Sequence, residues 1–546
     1  MVALTGGPSR TEETDILVVG AGPAGFMFTR ILAGAGRELL MIDAGAQHSR
    51  RPGEHLKNAA VYQRNIDAFT PIVQGMLHRI SLPAQAAFAH CTMLDPISFH
   101  PDPKKKFKRQ FHNPEQPAAA NLDAAAVAYG VGGMFTHWTN NTPRYHATER
   151  SRLISDHEWD ELYEYAEDVL DVHSDVFDSS LRQQVIARAL TETYENTAVA
   201  CDVKPLPVAG HRRSRNPDFV CYAGCDTILG PLLDDEGAVR GPLKIREHHC
   251  LRRLVADGDR IKWAEVEDLL THEHVRVVAE EYVVAAGSLL TPQILWASNI
   301  RPPALGKFLT EHPLAFTQVV LRRELVGEIS RLAERAAVTI DSEDAVPIPI
   351  NDPPPMLMIG VTDDRRWHCQ IHRDSFAYGA VPDEIDDRLI VDLRWFGMTQ
   401  PKEQNRVDFS TTQADVLGMP KPIFHFAMSA EDRRLAHEMM SDMIHAAGSL
   451  GGFLPGSEPK FMPAGTSLHF MGTTRISEDE NAGVADSYSR VHGYSNLRIG
   501  GNGMIDTATA SNPSLTMVAI AARSAFDLLG EKLPPARRAA HVTSDQ

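Results

Sequence analysis

Several short stretches of the 546-residue chain carry side chains able to do chemistry. In Leu468-His469-Phe470-Met471-Gly472-Thr473-Thr474-Arg475, His469 offers an imidazole that can take a hydroxyl proton near its ordinary pKa of about 6.5. Further on, Gly500-Gly501-Asn502-Gly503-Met504-Ile505-Asp506 leads to Ser511-Asn512-Pro513-Ser514-Leu515-Thr516, where a helix opening at Pro513 or Ser514 would aim its N–H groups at whatever precedes it. On residue types alone, His469 reads equally well as a satisfied core histidine, and Asn512 as a helix N-cap.

A third stretch, Tyr129-Gly130-Val131-Gly132-Gly133-Met134-Phe135-Thr136-His137-Trp138-Thr139, combines glycines that admit a flat ligand close to backbone with three polar side chains. Taken alone, it is more simply a glycine loop bearing a surface histidine. The fourth stretch, Gly20-Ala21-Gly22-Pro23-Ala24-Gly25, is a dinucleotide fingerprint. Gly20 suits the tight turn, Gly22 admits a pyrophosphate, and Gly25 lets helix and strand pack closely.

The elements needed to position these groups are legible around them. Asp15–Gly20 predicts a buried strand, Phe26–Leu32 a helix and Leu39–Ile42 a second strand. That second strand ends at Asp43, placed to accept a hydrogen bond from a ribose hydroxyl. Arg50 and Arg51 lie too far past the strand end to receive a 2′-phosphate. Val283–Trp296 predicts strand, turn and helix; Trp159–Leu170 and Leu181–Tyr194 predict helices. Leu497–Ile499 predicts a strand, followed by a long helix from Ser514. Alternation in stretches such as Arg388–Phe396 predicts a broad sheet within 320–460, and Gly448–Gly465 separates this part from the last block.

Length above the roughly 250–300-residue ceiling of one core predicts two lobes. The net charge of -17 disfavours nucleic acid, and no apolar run reaches the ~20 residues of a membrane span. The first fourteen residues lack a secretory pattern, are read as flexible, and make the cytoplasm the default location. The basic run Lys104–Arg109 is read as a solvated loop face. Cys221 and Cys225 sit in a Cys-x-x-x-Cys spacing with no second NAD fingerprint, so structural cysteines are favoured over a redox pair. His248, His249, Cys250, His272 and His274 lack matching acids, and no metal is expected.

Together and in order, these motifs resemble the glucose–methanol–choline (GMC) oxidoreductases from Asp15 to about Leu529. The resemblance implies an α/β fold. Its Rossmann-like FAD-binding domain is assembled from discontinuous segments (14–50, 113–150, 240–312 and 466–530). A substrate domain (151–239 and 313–465) has a broad, mainly antiparallel sheet and helices, and termini 1–13 and 531–546 are flexible.

The resemblance also implies FAD as cofactor, held by Gly20, Gly22, Ala24, Gly25 and Asp43. Gly133, Met134, Thr136, His137, Trp138 and Thr139 would abut its ring system, with His137 as the point of covalent attachment found in fungal members. Gly501, Asn502, Asn512, Ser514 and Thr516 complete the cofactor side. His469 is implied as the catalytic base and Asn512 as its partner. The substrate side comprises Gln370, Asp374, Phe376, Tyr378, Arg394 and Ser467, with Asp374–Gly379 in a substrate loop.

Ser467 stands where an apolar residue is frequent in the family, beside the sugar, and so bears on which carbon reacts. The expected activity is oxidation of a secondary hydroxyl of a pyranose, at carbon-2 of glucose-like sugars, with oxygen or a quinone as acceptor. The alternatives are oxidation of C- or O-glycosides at carbon-3 and a non-catalytic flavin-binding protein.

Overall fold

The computed structural model describes residues 8–73, 115–195 apart from 118 and 123, 201–375, and 379–534 apart from 380 and 383. The basic run Lys104–Arg109 and the candidate residues Phe376 and Tyr378 lie outside them, as do residues 535–546 of the C-terminal tail.

The first sheet grows from β1 (Arg10–Val19), whose Ile16–Val19 segment is wholly buried. Helix α1 (Pro23–Gly34) follows, with Pro23 in its first turn, and then β2 (Leu39–Ile42), paired parallel to β1. On the other side of β1 lies β3 (His274–Val284), also parallel, which leads into α2 (Gly287–Ala297). β4 (Leu497–Ile499) pairs parallel to β3, and α3 (Ser514–Leu529) packs against α1. Leu243–Arg246 adds a parallel edge beyond β2, and the hairpin His249–Asp257/Arg260–Asp268 an antiparallel edge beyond β3. A sheet buried on both faces needs continuous apolar strands, which is what Ile-Leu-Val-Val and Leu-Leu-Met-Ile provide.

β1 begins at Arg10, so residues 10–13 are ordered strand and not part of a flexible tail. Apolar alternation is absent there because the segment projects beyond the core. It is held by the ladder to β3 and by charge pairs, Arg246 to Glu12 and Arg10 to Glu273.

The second sheet has seven strands and is antiparallel throughout, in the order Gly451–Phe453, Leu314–Leu321, Ile390–Gly397, Trp367–His372, Met356–Ile359, Val203–Pro205, with Lys460–Phe461 beside Leu314–Leu321. Ile390–Gly397 is buried at every position, so its polar residues face the interior and not solvent. The helix Ala430–Leu450 covers one face of this sheet. The Gly/Pro-rich stretch 448–465 does not merely separate two parts: it ends that helix and supplies two short strands. Gly451 is required there, because a Cβ would lie 1.9 Å from the Val320 carbonyl oxygen. Among the described residues, no helix is long and apolar enough to cross a membrane.

Candidate active site

A cavity of about 360 Å³ runs from the β1–α1 turn to the second sheet. Gly20, Gly22, Pro23, Ala24 and Asp43 line one end, and Arg394, Phe396, Ser467, His469 and Asn512 the other. Gly133, Met134, His137, Trp138 and Thr139 line it between these ends, as do Gly501, Asn502 and Ser514. Ala285–Ser288, where β3 turns into α2, also face it; the sequence predicts this turn but assigns it no ligand role.

The walls suit a dinucleotide. Gly20 has φ +99°, and a Cβ there would meet the Ala285 carbonyl oxygen at 2.5 Å. A Cβ on Gly22 would meet nothing within 4 Å, so the backbone faces open cavity where α1 begins. Neither α1 nor α3 has a side-chain cap, which leaves their first N–H groups for an anionic or electron-rich ligand. The buried Asn502 Oδ1 has no partner within the protein and lies on this wall. These features fit the diphosphate and the electron-rich ring end of FAD.

Asp43 does more than await a ribose. Its Oδ2 accepts from the Ala21 N–H (2.9 Å), and its Oδ1 from Gly45 (2.8 Å) and Gly130 (3.0 Å). One carboxylate thus ties the fingerprint to the second glycine loop, although burial raises its pKa. Gly25, Thr136 and Thr516 do not reach the cavity wall. Gly25 packs against the Gly20 carbonyl, Thr136 donates to the Gly133 carbonyl (2.9 Å), and Thr516 pairs with the Tyr163 hydroxyl (2.9 Å). With its proton spent on Gly133, the Thr136 hydroxyl accepts from His137 Nδ1 (2.9 Å), which places the lone pair of that ring on Nε2. Trp138 stacks on Phe135 at 3.7 Å and donates to the Ala223 carbonyl.

At the far end, the His469 ring lies 3.5 Å through Nε2 from Asn512 Nδ2, and 3.0 Å through Nδ1 from His312 Nδ1. Burial, then His312, Arg394 and His368, hold its pKa well below 6.5, so the ring is neutral and able to accept a proton. Asn512 is fixed from behind: Gln370 donates to its Oδ1, and Asn141 donates to Gln370 Oε1 (3.0 Å). The loop before Asn512 hangs on Glu149, whose Oε1 accepts from the N–H groups of Ala510 (2.7 Å) and Ser511 (2.9 Å).

Three residues brought here had no signal in the motifs: Glu311, His312 and His368. A bridge between Thr310 and Met471 lays Glu311 and His312 against Ser467–His469. The Ser467 hydroxyl consequently lies 2.5 Å from Glu311 Oε1 and 2.6 Å from the His312 carbonyl, bonded to protein groups beside the cavity. Asp374 is not brought to this cavity. It forms a buried ion pair with Lys57 (3.0 Å) on a second cavity of about 180 Å³, and Lys57 holds its pKa at about 2.

Burial pushes Glu311 up to about 8. A protonated Glu311 donates to Ser467 Oγ, whose own proton serves the His312 carbonyl, so two protons satisfy three oxygens. Folded Glu311 keeps its proton to about pH 8, whereas the unfolded chain releases it near 4.5. Stability therefore falls as pH rises through that window, by up to about 1.4 kcal/mol per unit. Glu311→Gln removes the loss. Urea midpoints between about pH 5 and 8 should show the variant gaining on wild type as pH rises, and gaining no more above about 8. A difference constant with pH would mean that folded Glu311 is ionised throughout.

The His248, His249, Cys250, His272 and His274 group is spread along the first sheet, and among the described residues no three metal-ligating side chains converge. Cys221 and Cys225 are unbridged.

Residues 401–521 match the family model described as GMC oxidoreductase, and residues 13–93 one described as FAD binding domain. The chain is 38% identical to pyranose 2-oxidase of Emericella nidulans, over 96% of this chain and 94% of that protein. It is 30% identical to C-glycoside 3-oxidase of Microbacterium trichothecenolyticum, over 95% and 97%. The crystal structure of pyridoxine 4-oxidase from Mesorbium loti superposes with a TM-score of 0.64 over 95% of this chain and all of that one, at 16% identity, which is a likeness of fold.

Proposed function

The chain belongs to the GMC oxidoreductase family as an FAD-dependent enzyme acting on CH–OH groups, and on that premise we propose that it oxidises carbon-2 of a glucose-like pyranose, with oxygen as electron acceptor. What carries this reading is a cavity that joins the Gly20 turn to His469 and Asn512, in a chain 38% identical to a pyranose 2-oxidase.

Bound FAD supplies the two-electron acceptor; the protein supplies position and proton handling. Gly20, Gly22 and the start of α1 would hold the FAD diphosphate. Met134, Phe135, His137, Trp138, Thr139 and the start of α3 would flank its ring system. The sugar lies between Arg394, Ser467 and the His469/Asn512 pair. His469 Nε2, neutral and bare, takes the proton of the reacting hydroxyl, while the Asn512 amide orients that oxygen. Burial keeps water from competing for either group.

Oxidation of C-glycosides at carbon-3 is the second reading. It draws on Ser467, whose hydroxyl is held beside Glu311 at the sugar end of the cavity. Incubating the enzyme with glucose and with a C-glycoside, then locating each ketone by NMR, separates the two. A 2-keto sugar from glucose supports the first reading; turnover of the C-glycoside alone, at carbon-3, overturns it. Peroxide release under air tests the acceptor.

Covalent attachment of FAD at His137 is part of this reading, and Nε2 is the nitrogen that would carry it, since the Thr136 hydroxyl faces Nδ1. Acid precipitation should leave the yellow colour in the pellet, and His137→Ala should move it to the supernatant. Wild-type colour in the supernatant would make His137 a neighbour of the flavin only.

A further inference from the structure

The polar groups around His469 have a definite proton inventory. The His312 ring reaches Thr509 through Nε2, 3.1 Å from Oγ1, and the Thr509 hydroxyl donates onward to Met471 Sδ (3.3 Å). A backbone hydrogen bond to Thr509 also favours the charged His312 ring, as a carbonyl acceptor does. Acceptors at that end put the His312 proton on Nε2. Burial lowers His312 to about 3, so the ring carries one proton and Nδ1 keeps a lone pair. Across 3.0 Å, that lone pair faces His469 Nδ1, which must then bear the proton of its own ring.

The opposite side of His469 leads to the same result. Asn141 donates to Gln370 Oε1, which turns the Gln370 amide N–H toward Asn512 Oδ1. Asn512 therefore presents its N–H₂, never its oxygen, to His469 Nε2. A protonated Nε2 would set two donors against each other.

We propose that His312 is a positioning residue: held by Thr509, it fixes His469 as the Nδ1–H tautomer, with the Nε2 lone pair on the Asn512 side, where both side chains line the cavity. This rests on His469 being the base. When Nε2 takes the hydroxyl proton, Nδ1–H is already donating to His312, so the imidazolium forms without reorganisation of its partner.

The test compares His312→Leu with His312→Gln in the FAD-loaded enzyme. Glutamine offers one donor and one acceptor, as the ring does; leucine offers neither. Anaerobic flavin reduction by glucose should slow roughly 10–100-fold in the leucine variant, with sugar affinity little changed, and recover to within about threefold of wild type in the glutamine variant. In ¹⁵N spectra of histidine-labelled protein, assigned with His469→Gln, His469 should show a protonated Nδ1 and a bare Nε2 in wild type. A wild-type reduction rate in His312→Leu, or a protonated Nε2 in wild type, overturns the proposal. If the leucine variant fails to fold, the wild-type spectrum still decides. A wild-type rate in His469→Ala is a different failure, since it removes the base itself.

Discussion

His469→Ala, mixed anaerobically with sugar, is expected to reduce its flavin roughly 10²–10⁴-fold more slowly than wild type. The substitution removes the proposed acceptor for the hydroxyl proton and leaves Asn512, Gln370 and Glu149 in place. FAD should stay bound, because the fingerprint lies at the opposite end of the cavity. Asn512→Ala should cost less, since the role proposed for the amide is to orient the hydroxyl, and it takes no proton. The pH profile adds a second check. The active form of His469 is the unprotonated ring, and burial with His312, Arg394 and His368 nearby lowers its pKa. The acid limb of flavin reduction should therefore lie below 6.5, with no loss of rate between about pH 6.5 and neutrality. A near-wild-type rate in the alanine variant would mean that another group accepts the proton.

Gly25→Ala is the second large expected effect. A Cβ at this position would lie 2.1 Å from the Gly20 carbonyl oxygen and 3.3 Å from its carbon. Both are backbone atoms of the turn, and Gly20 is itself pinned, as a Cβ on it would strike Ala285 at 2.5 Å. The added methyl group can be accommodated only by levering α1 away from β1, at a cost of about 1–3 kcal/mol or more. The same movement would displace the first N–H groups of α1 from the position proposed for the diphosphate. Purified Gly25→Ala protein should carry less than about a tenth of the wild-type flavin and melt at lower temperature. Gly22→Ala makes the contrasting case, because its Cβ meets no protein atom; it should keep the fold and lose only affinity for FAD. Full flavin content in Gly25→Ala would show that the turn can shift at little cost.

How far the site could be read from sequence tracks how local each signal is. The Gly20–Gly25 turn, β2 and the helix from Ser514 are contiguous patterns whose physics acts within a few residues, and they stand where the pattern put them. Arg10–Glu13 was hidden because a polar strand held by its neighbour's backbone has no apolar alternation. Ile390–Gly397 alternates in sequence, yet it is buried on both faces, since Asp392 is matched by Gln318 and Arg373 in the interior and the Arg394 guanidinium lies over the Phe396 ring. Glu311 and His312 had no local signature at all: 155 or more residues separate them from Ser467, and only the Thr310–Met471 bridge brings them under His469. Asp43 was placed correctly at its strand end, but its three backbone donors come from loops whose meeting no spacing reveals.

The pairing of β1 with β3 has a consequence for how the protein is made. Arg10 pairs with Val275, 265 residues on, β4 joins β3 across a gap of similar order, and Glu149 holds the loop before Asn512 across 362 residues. At about 5–20 residues per second, a ribosome takes on the order of tens of seconds to supply the partner of the first strand. Until then Ile16–Val19 is an apolar strand paired at most on its β2 side, with its other parallel neighbour missing, a segment that invites pairing with other nascent chains. Loop closure over such distances slows folding, so the fingerprint becomes a working cradle only after nearly the whole chain has emerged. Loading of FAD is then a late event in biogenesis, and flavin supply during overexpression should govern the yield of native protein more strongly than translation rate does.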